Sequence, residues 1–159
     1  MVKPIIVFYS RTGRTKTVAK KLSELLKCDI EEITDFKNRA GITGFLGAGK
    51  DAVQKRKTTI KEPEKPVSNY DLLILGTPIW AGNMTPAIRT YIDKFKNHIN
   101  QIALFCTCRG KGNSVKAFME IEELCGKKPL TTMEITVKEL SSANYMSKLN
   151  SFLNSLKII

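Results

Sequence analysis

The feature that most constrains the fold is an unbroken apolar run near the start of the chain, Ile5 to Tyr9, which gives way to a polar turn at Ser10. From Thr15 onward, apolar residues recur at helical spacing, through Val18 and Leu22. A continuous β-branched run indicates a strand buried on both faces, because a strand with one wet face would alternate. The start of the chain therefore predicts a strand, a loop and a helix, in that order.

The same succession of elements recurs along the chain. Further runs of strand character lie at residues 29–33, 72–75, 102–106 and 133–137. Helical patterns lie near residues 86–95, 114–124 and 145–156. Strands that alternate with helices indicate a parallel sheet covered on both faces. We therefore predict an α/β fold with three layers, built on a doubly wound parallel sheet of five strands.

Residues 37–66 are less regular. Four glycines at positions 41, 44, 47 and 49 precede a helical pattern over residues 51–57, and a polar segment with Pro63 and Pro66 follows. We predict an exposed helix over residues 51–57 and a loop around it.

Length and composition indicate one globular unit. A chain of 159 residues with 42% hydrophobic residues can bury a real core, and we expect a single domain over residues 1–159. No apolar stretch resembles a signal peptide or reaches the length of a membrane span, which predicts a cytoplasmic protein without membrane insertion. The four cysteines fall in predicted regular elements, and we expect them to be reduced thiols.

The chain carries a formal net charge of +11, from 26 Lys and Arg against 15 Asp and Glu. A basic surface speeds association with acidic partners, although it can also be a solvated surface with no partner. The basic residues are dispersed, and no recognised nucleic-acid motif accompanies them. Charge alone therefore names no partner: it is compatible with acidic protein partners or with a solvated surface, and we expect no nucleic acid.

The loop after the first strand combines three hydroxyl side chains with one glycine. Its sequence is Ser10-Arg11-Thr12-Gly13-Arg14-Thr15. A phosphate ester is close to a dianion at neutral pH, and proteins hold it with backbone amides at a helix start and with short hydroxyl side chains. Gly13 lets the backbone approach closely. One hydroxyl would indicate only a helix cap, but three around a glycine after a buried strand predict an anion site.

Two glycine-rich segments imitate other phosphate motifs. Residues 44–51 have Walker A spacing up to Lys50, but Asp51 stands where Ser or Thr would bind magnesium. Residues 47–52 fit a dinucleotide-binding pattern, but no convincing strand precedes them. We exclude both segments as phosphate sites.

Two further loops follow the third and fourth predicted strands. The first, Thr77-Pro78-Ile79-Trp80-Ala81-Gly82, displays the only tryptophan at the carboxyl edge of the sheet, where ligands of such folds bind; a Trp packed into the core is the alternative. Thr85 and Pro86 then predict a helix cap. The other loop, Thr107-Cys108-Arg109-Gly110-Lys111-Gly112, is rich in free amides. Cys106 and Cys108 share a strand face, but no His or further Cys lies at metal-ligand spacing, so we expect no metal.

These residues resemble the short-chain flavodoxins. The phosphate loop is the specific motif, and the likeness covers nearly the whole chain. The resemblance implies the flavodoxin-like strand order 2-1-3-4-5 and FMN as the cofactor. It also implies that residues Ser10 to Thr15 hold the FMN phosphate, that Trp80 stacks on the isoalloxazine, and that the loop from Cys108 to Gly112 borders the other side of the ring. The expected cofactor contacts are Ser10, Arg11, Thr12, Gly13, Arg14, Thr15, Thr77, Pro78, Ile79, Trp80, Ala81, Gly82, Thr107, Cys108, Arg109, Gly110, Lys111 and Gly112.

Several residues depart from the family pattern. Arg14 replaces the usual asparagine, the loop after Cys108 lacks the tyrosine that commonly covers the ring, and the chain is basic where these carriers are usually acidic. The resemblance implies a carrier of single electrons between protein redox partners of the ferredoxin or reductase type, as a monomer or weak dimer without side-chain catalysis. The open ring face keeps an alternative, an FMN-dependent NAD(P)H:quinone-type oxidoreductase. A flavin-free binding module also stays open, whereas a phosphoacceptor domain is excluded because Ser10 and Thr77 stand where it needs acids.

Overall fold

Five parallel strands form one sheet, and numbered along the chain they lie in the order 2-1-3-4-5 across it. The computed structural model describes residues 1–37, 39 and 41–157. The strands are β1 (Pro4–Phe8), β2 (Asp29–Glu32), β3 (Leu72–Pro78), β4 (Gln101–Cys108) and β5 (Thr132–Thr136). The predicted number of strands, their parallel direction and their order are confirmed.

Helices cover both faces of this sheet. They are α1 (Arg14–Leu26), α2 (Gly41–Val53), α3 (Pro86–Phe95), α4 (Val115–Cys125), α5 (Val137–Ser141) and α6 (Met146–Leu156). Short 3₁₀ turns occupy Val67–Asn69 and Lys96–His98. Within the described ranges, no helix combines the length and the apolar character needed to cross a bilayer.

The core forms two layers, one on each face of the sheet. Ile5 and Val7 of β1 point into the layer that α3 and α4 cover. Ile6 and Phe8 point into the opposite layer, which α1 and α6 cover. All four side chains are almost fully buried, which explains why this strand is apolar without alternation.

The helix between β2 and β3 differs from the prediction. It was expected over residues 51–57, but α2 begins ten residues earlier at Gly41 and ends at Val53. Each glycine weakens a helix by about 1 kcal/mol relative to alanine, so local propensity argued against this segment. Tertiary contacts decide instead, because Ala48 and Ala52 are buried and Asp51 forms ion pairs with Lys37 and Arg39.

The position of α2 also removes the two glycine-rich segments from consideration as phosphate loops. Residues 44–52 lie inside a helix rather than in a turn that follows a strand. Their amides are therefore part of the helix interior, and the exclusion made from the sequence holds on structural grounds.

A second difference lies after β5. The strand ends at Thr136 rather than at residue 137, and the short helix α5 follows directly. Thr136 and Glu139 form a reciprocal capping box at its start. All four cysteines lie in the described ranges and none forms a disulfide, as predicted.

Candidate functional site

The carboxyl ends of β1, β3 and β4 lie side by side. Phe8 pairs with Gly76, and Pro78 pairs with Thr107. The backbone amide of Tyr9 donates to the carbonyl of Gly76 at 3.2 Å. The parallel register therefore brings the three loops predicted from the sequence to one edge of the sheet. They are called the first loop (residues 10–15), the second loop (residues 77–82) and the third loop (residues 107–112).

The first of these loops is shaped around Gly13 and Ser10. Gly13 has φ 90° and ψ −7° and precedes the first residue of α1. Ser10 Oγ accepts hydrogen bonds from the amides of Gly13 at 3.0 Å and Lys16 at 3.3 Å, so its own hydrogen remains free to donate. The first amides of a helix have no partner within the helix, which leaves those of Arg14 and Thr15 as donors. A β-carbon on Gly13 would meet nothing within 4 Å, so an anion can approach.

The three hydroxyl groups of this loop do not share one environment. Thr12 is exposed and Ser10 is half-buried. Thr15 is only 1% exposed, and its Oγ1 lies 2.8 Å from Oγ1 of Thr107. Thr15 and Thr107 thus join α1 to the end of β4 beneath the loop, while Ser10 and Thr12 remain on its accessible side.

The arginine side chains of the first and third loops converge on α2. Arg11 donates from Nε to the carbonyl of Arg39 at 2.8 Å and from a terminal nitrogen to the carbonyl of Gly41 at 3.2 Å. The guanidinium groups of Arg11 and Arg109 lie 5.4 Å and 5.6 Å from the ring of Phe45. Arg11 therefore anchors the start of α2, whereas Arg14 is exposed at the loop.

The second loop closes with a two-residue turn between Trp80 and Asn83. The two residues exchange backbone hydrogen bonds of 3.0 Å each. Ala81 and Gly82, the central residues, both have positive φ, at 50° and 77°. This is the signature of a type I′ turn, and it places a strained alanine at the sheet edge.

Other residues of the second loop serve the backbone. Thr77 is fully buried, and its hydroxyl donates to the carbonyl of Pro78 at 2.8 Å while it accepts from the amide of Thr85 at 3.4 Å. Thr85 caps α3 by accepting from the amide of Ile88, and Pro86 is the first residue of that helix, as the sequence predicted.

Trp80 is half-buried rather than freely displayed, and it packs against the core layer beneath α3. Tyr9 meets it edge to face, with ring centroids 5.7 Å apart. The guanidinium group of Arg39 lies 5.6 Å from the Trp80 ring. Burial, followed by the charge of Asp35, raises the pKa of Tyr9 to about 12, so the phenol stays protonated.

Arg39 is a candidate site residue that the sequence did not reveal. It is 5% exposed, and it donates to Asp35 at 2.7 Å and to Asp51 at 3.0 Å. Burial would lower the pKa of Arg39, but its bonds to the two carboxylates raise the pKa, so the group is always charged. Its third nitrogen, Nη2, is buried without a partner among the described residues. No pattern distinguished this arginine from the many other basic residues of the chain.

A cleft brings Arg39 together with the first loop. It has a volume of about 480 Å³, and Arg39 lines it with the residues from Tyr9 to Thr12. The Arg39 guanidinium, whose Nη2 has no partner among the described residues, therefore lies beside the first loop, where the amides of Arg14 and Thr15 are available as donors. This arrangement suits an anionic ligand that also carries polar ring edges.

The third loop is held by β5. The amide of Gly112, expected to be free, donates to Oε1 of Glu134 at 2.8 Å, and the amide of Ser114 donates to Oε2 at 3.0 Å. Burial alone would raise the pKa of Glu134. The hydrogen bonds from Ser114 and Gly112 outweigh burial and lower the pKa below its usual value, so the carboxylate is charged. Arg109 and Lys111 are exposed on the same loop.

Comparison with known proteins shows that this chain is similar to a described protein family and to several solved structures. A family model described as NADPH-dependent FMN reductase matches residues 5–114, which include all three loops. A flavoprotein from Lactobacillus acidophilus NCFM, solved in complex with FMN, is similar with a TM-score of 0.74 and 24% identity over 89% of this chain and 98% of that chain.

Two more solved structures share the fold. A protein from Bacteroides eggerthii DSM 20697 is similar with a TM-score of 0.72 and 16% identity, over 100% of both chains. An oxidised flavodoxin from Bacillus cereus has a TM-score of 0.55 and 15% identity, over 99% of both chains. At these identities the likeness is one of fold, and it agrees with the observed strand order.

Proposed function

Since the chain belongs to the NADPH-dependent FMN reductase family and is therefore an FMN-binding flavoprotein, we propose that it is an FMN-dependent oxidoreductase that takes electrons from NADPH and delivers them to a separate acceptor. The observation that carries the proposal is the extent of the family match, residues 5–114, which include every loop at the candidate site. FMN, when bound, supplies the hydride and electron chemistry, and the protein positions and tunes it.

The phosphate of FMN fits the first loop. Ser10 donates its hydroxyl hydrogen, and the amides of Arg14 and Thr15 donate at the start of α1. Thr12 and the Arg14 side chain complete the set from the accessible side. Thr15 contributes through its backbone, because its hydroxyl is paired with Thr107.

The ring of FMN fits between the second and third loops. Trp80 offers a flat apolar face, and residues 77–82 and 107–112 border the ring. Arg39 Nη2 is the unused buried donor beside this position. A fixed positive charge there favours the reduced cofactor, because reduction adds negative charge to the ring.

Exposed basic side chains at the same edge suit NADPH as the electron donor. Arg109 and Lys111 are both exposed on the third loop. NADPH carries three phosphate groups, and clustered basic side chains raise its local concentration and orient it by charge-assisted hydrogen bonds.

One observation favours a second function, transfer of single electrons to an acidic protein partner of the ferredoxin or reductase type. Phe45 and Leu46 on α2 are 46% and 65% exposed, and Arg11 and Arg109 contact Phe45. An apolar patch with a basic rim suits transient docking of an acidic protein. A monomer or weak dimer would leave this patch accessible.

Anaerobic mixing of the FMN-loaded protein with NADPH distinguishes the two functions. The reductase proposal predicts that the absorbance of oxidised FMN bleaches with a rate that saturates in NADPH, and that a quinone restores it. A carrier would stay oxidised with NADPH and would be reduced only after a ferredoxin-type reductase is added. That second result would overturn the reductase proposal.

The phosphate loop is tested separately with Ser10→Ala. Loss of one charge-assisted hydrogen bond, worth about 1.5–3 kcal/mol, should weaken FMN binding about 10- to 100-fold and leave riboflavin binding nearly unchanged. Ser155→Ala on α6 is the matched control, since the Ser155 hydroxyl donates to the carbonyl of Ser151 within the same helix. Equal losses for FMN and riboflavin would place the phosphate elsewhere.

A further inference from the structure

Two cysteines and a glutamate come together beneath the third loop. Cys106 and Cys108 lie two residues apart on one face of β4, and Glu134 of β5 pairs with Cys106 in the sheet register. The two Sγ atoms and a carboxylate oxygen all lie within 4.8 Å of one another. The sequence offered no third ligand near these cysteines, because Glu134 reaches them only through the pairing of two strands.

We propose that Cys106, Cys108 and Glu134 form a binding site for a thiophilic divalent cation of the Zn²⁺ class. Zinc is bound at about 2.3 Å from thiolate sulfur and about 2.0–2.2 Å from carboxylate oxygen, so tetrahedral ligand atoms lie about 3.5–3.8 Å apart. The observed separations need to shorten by little more than 1 Å at most, an adjustment of about one side-chain rotation. Two sulfur ligands with one oxygen ligand favour zinc over magnesium or calcium.

A backbone oxygen is available for the fourth position. The carbonyl oxygen of Gly110 lies 3.2 Å from Sγ of Cys108. This distance is close to the edge of a zinc tetrahedron, so the carbonyl can complete the site with little movement of the loop.

The carboxylate of Glu134 is held by hydrogen bonds from Gly112 and Ser114. Its Oε2 accepts from the amide and the hydroxyl of Ser114, whereas its Oε1 accepts, among the residues that the structure describes, only from the amide of Gly112. One lone pair of Oε1 therefore remains for a cation. Carboxylates that bind metals are commonly held by such hydrogen bonds, which fix their direction.

Binding requires both thiols to lose their protons, so one Zn²⁺ enters as two protons leave, with no change of oxidation state. The bound site would hold two thiolates and one carboxylate around the cation, with Cys106 fully buried and Cys108 5% exposed. The ion would tie β4, β5 and the third loop together. The proposal does not depend on which molecule donates electrons, although Cys108 and Gly110 belong to the loop that borders the ring in the proposed FMN site.

Isothermal calorimetry of Zn²⁺ binding to the full-length FMN-loaded protein, in two buffers of different ionisation enthalpy, tests the site. The expected result is one Zn²⁺ per chain with release of about two protons, as displacement from two thiols requires. No binding, or binding without proton release, would overturn the proposal.

Variants assign the ligands. Cys108→Ser and Cys106→Ser should each abolish the 1:1 binding, and Glu134→Gln should weaken it by about 10-fold or more. Cys125→Ser, a buried cysteine of α4 outside the cluster, is the matched control and should bind normally. The ¹¹³Cd chemical shift of the cadmium-substituted protein counts sulfur ligands independently of any variant's stability. A shift typical of oxygen ligands alone, or full binding by Cys108→Ser, would refute the site.

Discussion

Replacing Gly13 with alanine disturbs the phosphate loop through backbone conformation alone. Gly13 has φ 90°, and a β-carbon built there meets nothing within 4 Å, so the substitution causes no clash. A residue with a β-carbon pays about 1–2 kcal/mol to hold a left-handed conformation. We therefore expect Gly13→Ala to lose about 1–2 kcal/mol of unfolding free energy, which for a chain of this size lowers Tm by about 2–8 °C.

Gly49→Ala is the matched control for this substitution. Gly49 lies within α2, and a β-carbon there also meets nothing within 4 Å. Alanine is favoured over glycine in a helix by about 0.5–1 kcal/mol, so this variant should gain stability. The same substitution, glycine to alanine, should therefore lower the free energy of unfolding at position 13 and raise it at position 49.

Thermal unfolding of the FMN-free protein measures both effects, and FMN titration shows whether the loop is the binding site. Gly13→Ala should weaken FMN binding only by the strain that the free loop relaxes and the bound loop must take up, about 10-fold for each 1.4 kcal/mol. Gly49→Ala should bind FMN normally. Equal shifts of Tm for both variants, together with unchanged FMN affinity of Gly13→Ala, would refute the conformation assigned to this loop.

Three further outcomes are expected. Thr15→Val leaves the hydroxyl of Thr107 buried without its partner and should lower the free energy of unfolding by about 1–3 kcal/mol. The double variant with Thr107→Val should lose less than the sum of the two single variants. Additive losses in this double-mutant cycle would contradict the hydrogen bond between Thr15 and Thr107. Arg39→Met should make the midpoint potential of bound FMN more negative, because it removes a fixed positive charge. Arg39→Lys keeps the charge and should keep a potential close to that of the unchanged protein. An unchanged potential in Arg39→Met during dye-coupled titration would remove Arg39 from the site. The pKa of Glu139 is lowered from 4.5 to about 2, first by its bond from Lys148 and then by the amide of Thr136, so its stabilising contribution is present above pH 4.5 and is lost as the pH falls toward 2. Urea unfolding should show a weaker acid dependence in Glu139→Gln over that range, and an identical dependence would count against the capping box.

The parts of the fold that were predicted from the sequence depend on local patterns. The run from Ile5 to Tyr9 indicated a strand buried on both faces, and the structure buries its alternate residues in two separate core layers. Thr85 and Pro86 predicted the start of α3 correctly, because a cap depends on residues that are neighbours in the chain.

The helix α2 could not be predicted in this way. Its four glycines favour a loop, and the interactions that stabilise it come from distant positions. Asp51 pairs with Lys37 and Arg39, and Arg11 bonds to the carbonyl of Gly41 at its start. Tertiary contacts therefore override the local preference.

The same reason applies to two residues of the site region. Arg39 gains its role only because Asp35, Asp51 and Trp80 surround it in the folded chain. Glu134 reaches the third loop through strand pairing. A single sequence carries no record of such distant partners, whereas residues 10–15 are contiguous, so a phosphate site could be predicted there.

The most direct test of the central claim, that the loop from Ser10 to Thr15 holds the FMN phosphate, is a paired titration of the FMN-free protein with FMN and riboflavin. The two ligands differ only in the phosphate, which meets at least two backbone amides and one hydroxyl in this account. Charge-assisted hydrogen bonds of this kind predict that FMN binds at least about 100-fold more tightly, a difference of about 2.7 kcal/mol. Equal affinities for FMN and riboflavin would contradict the account.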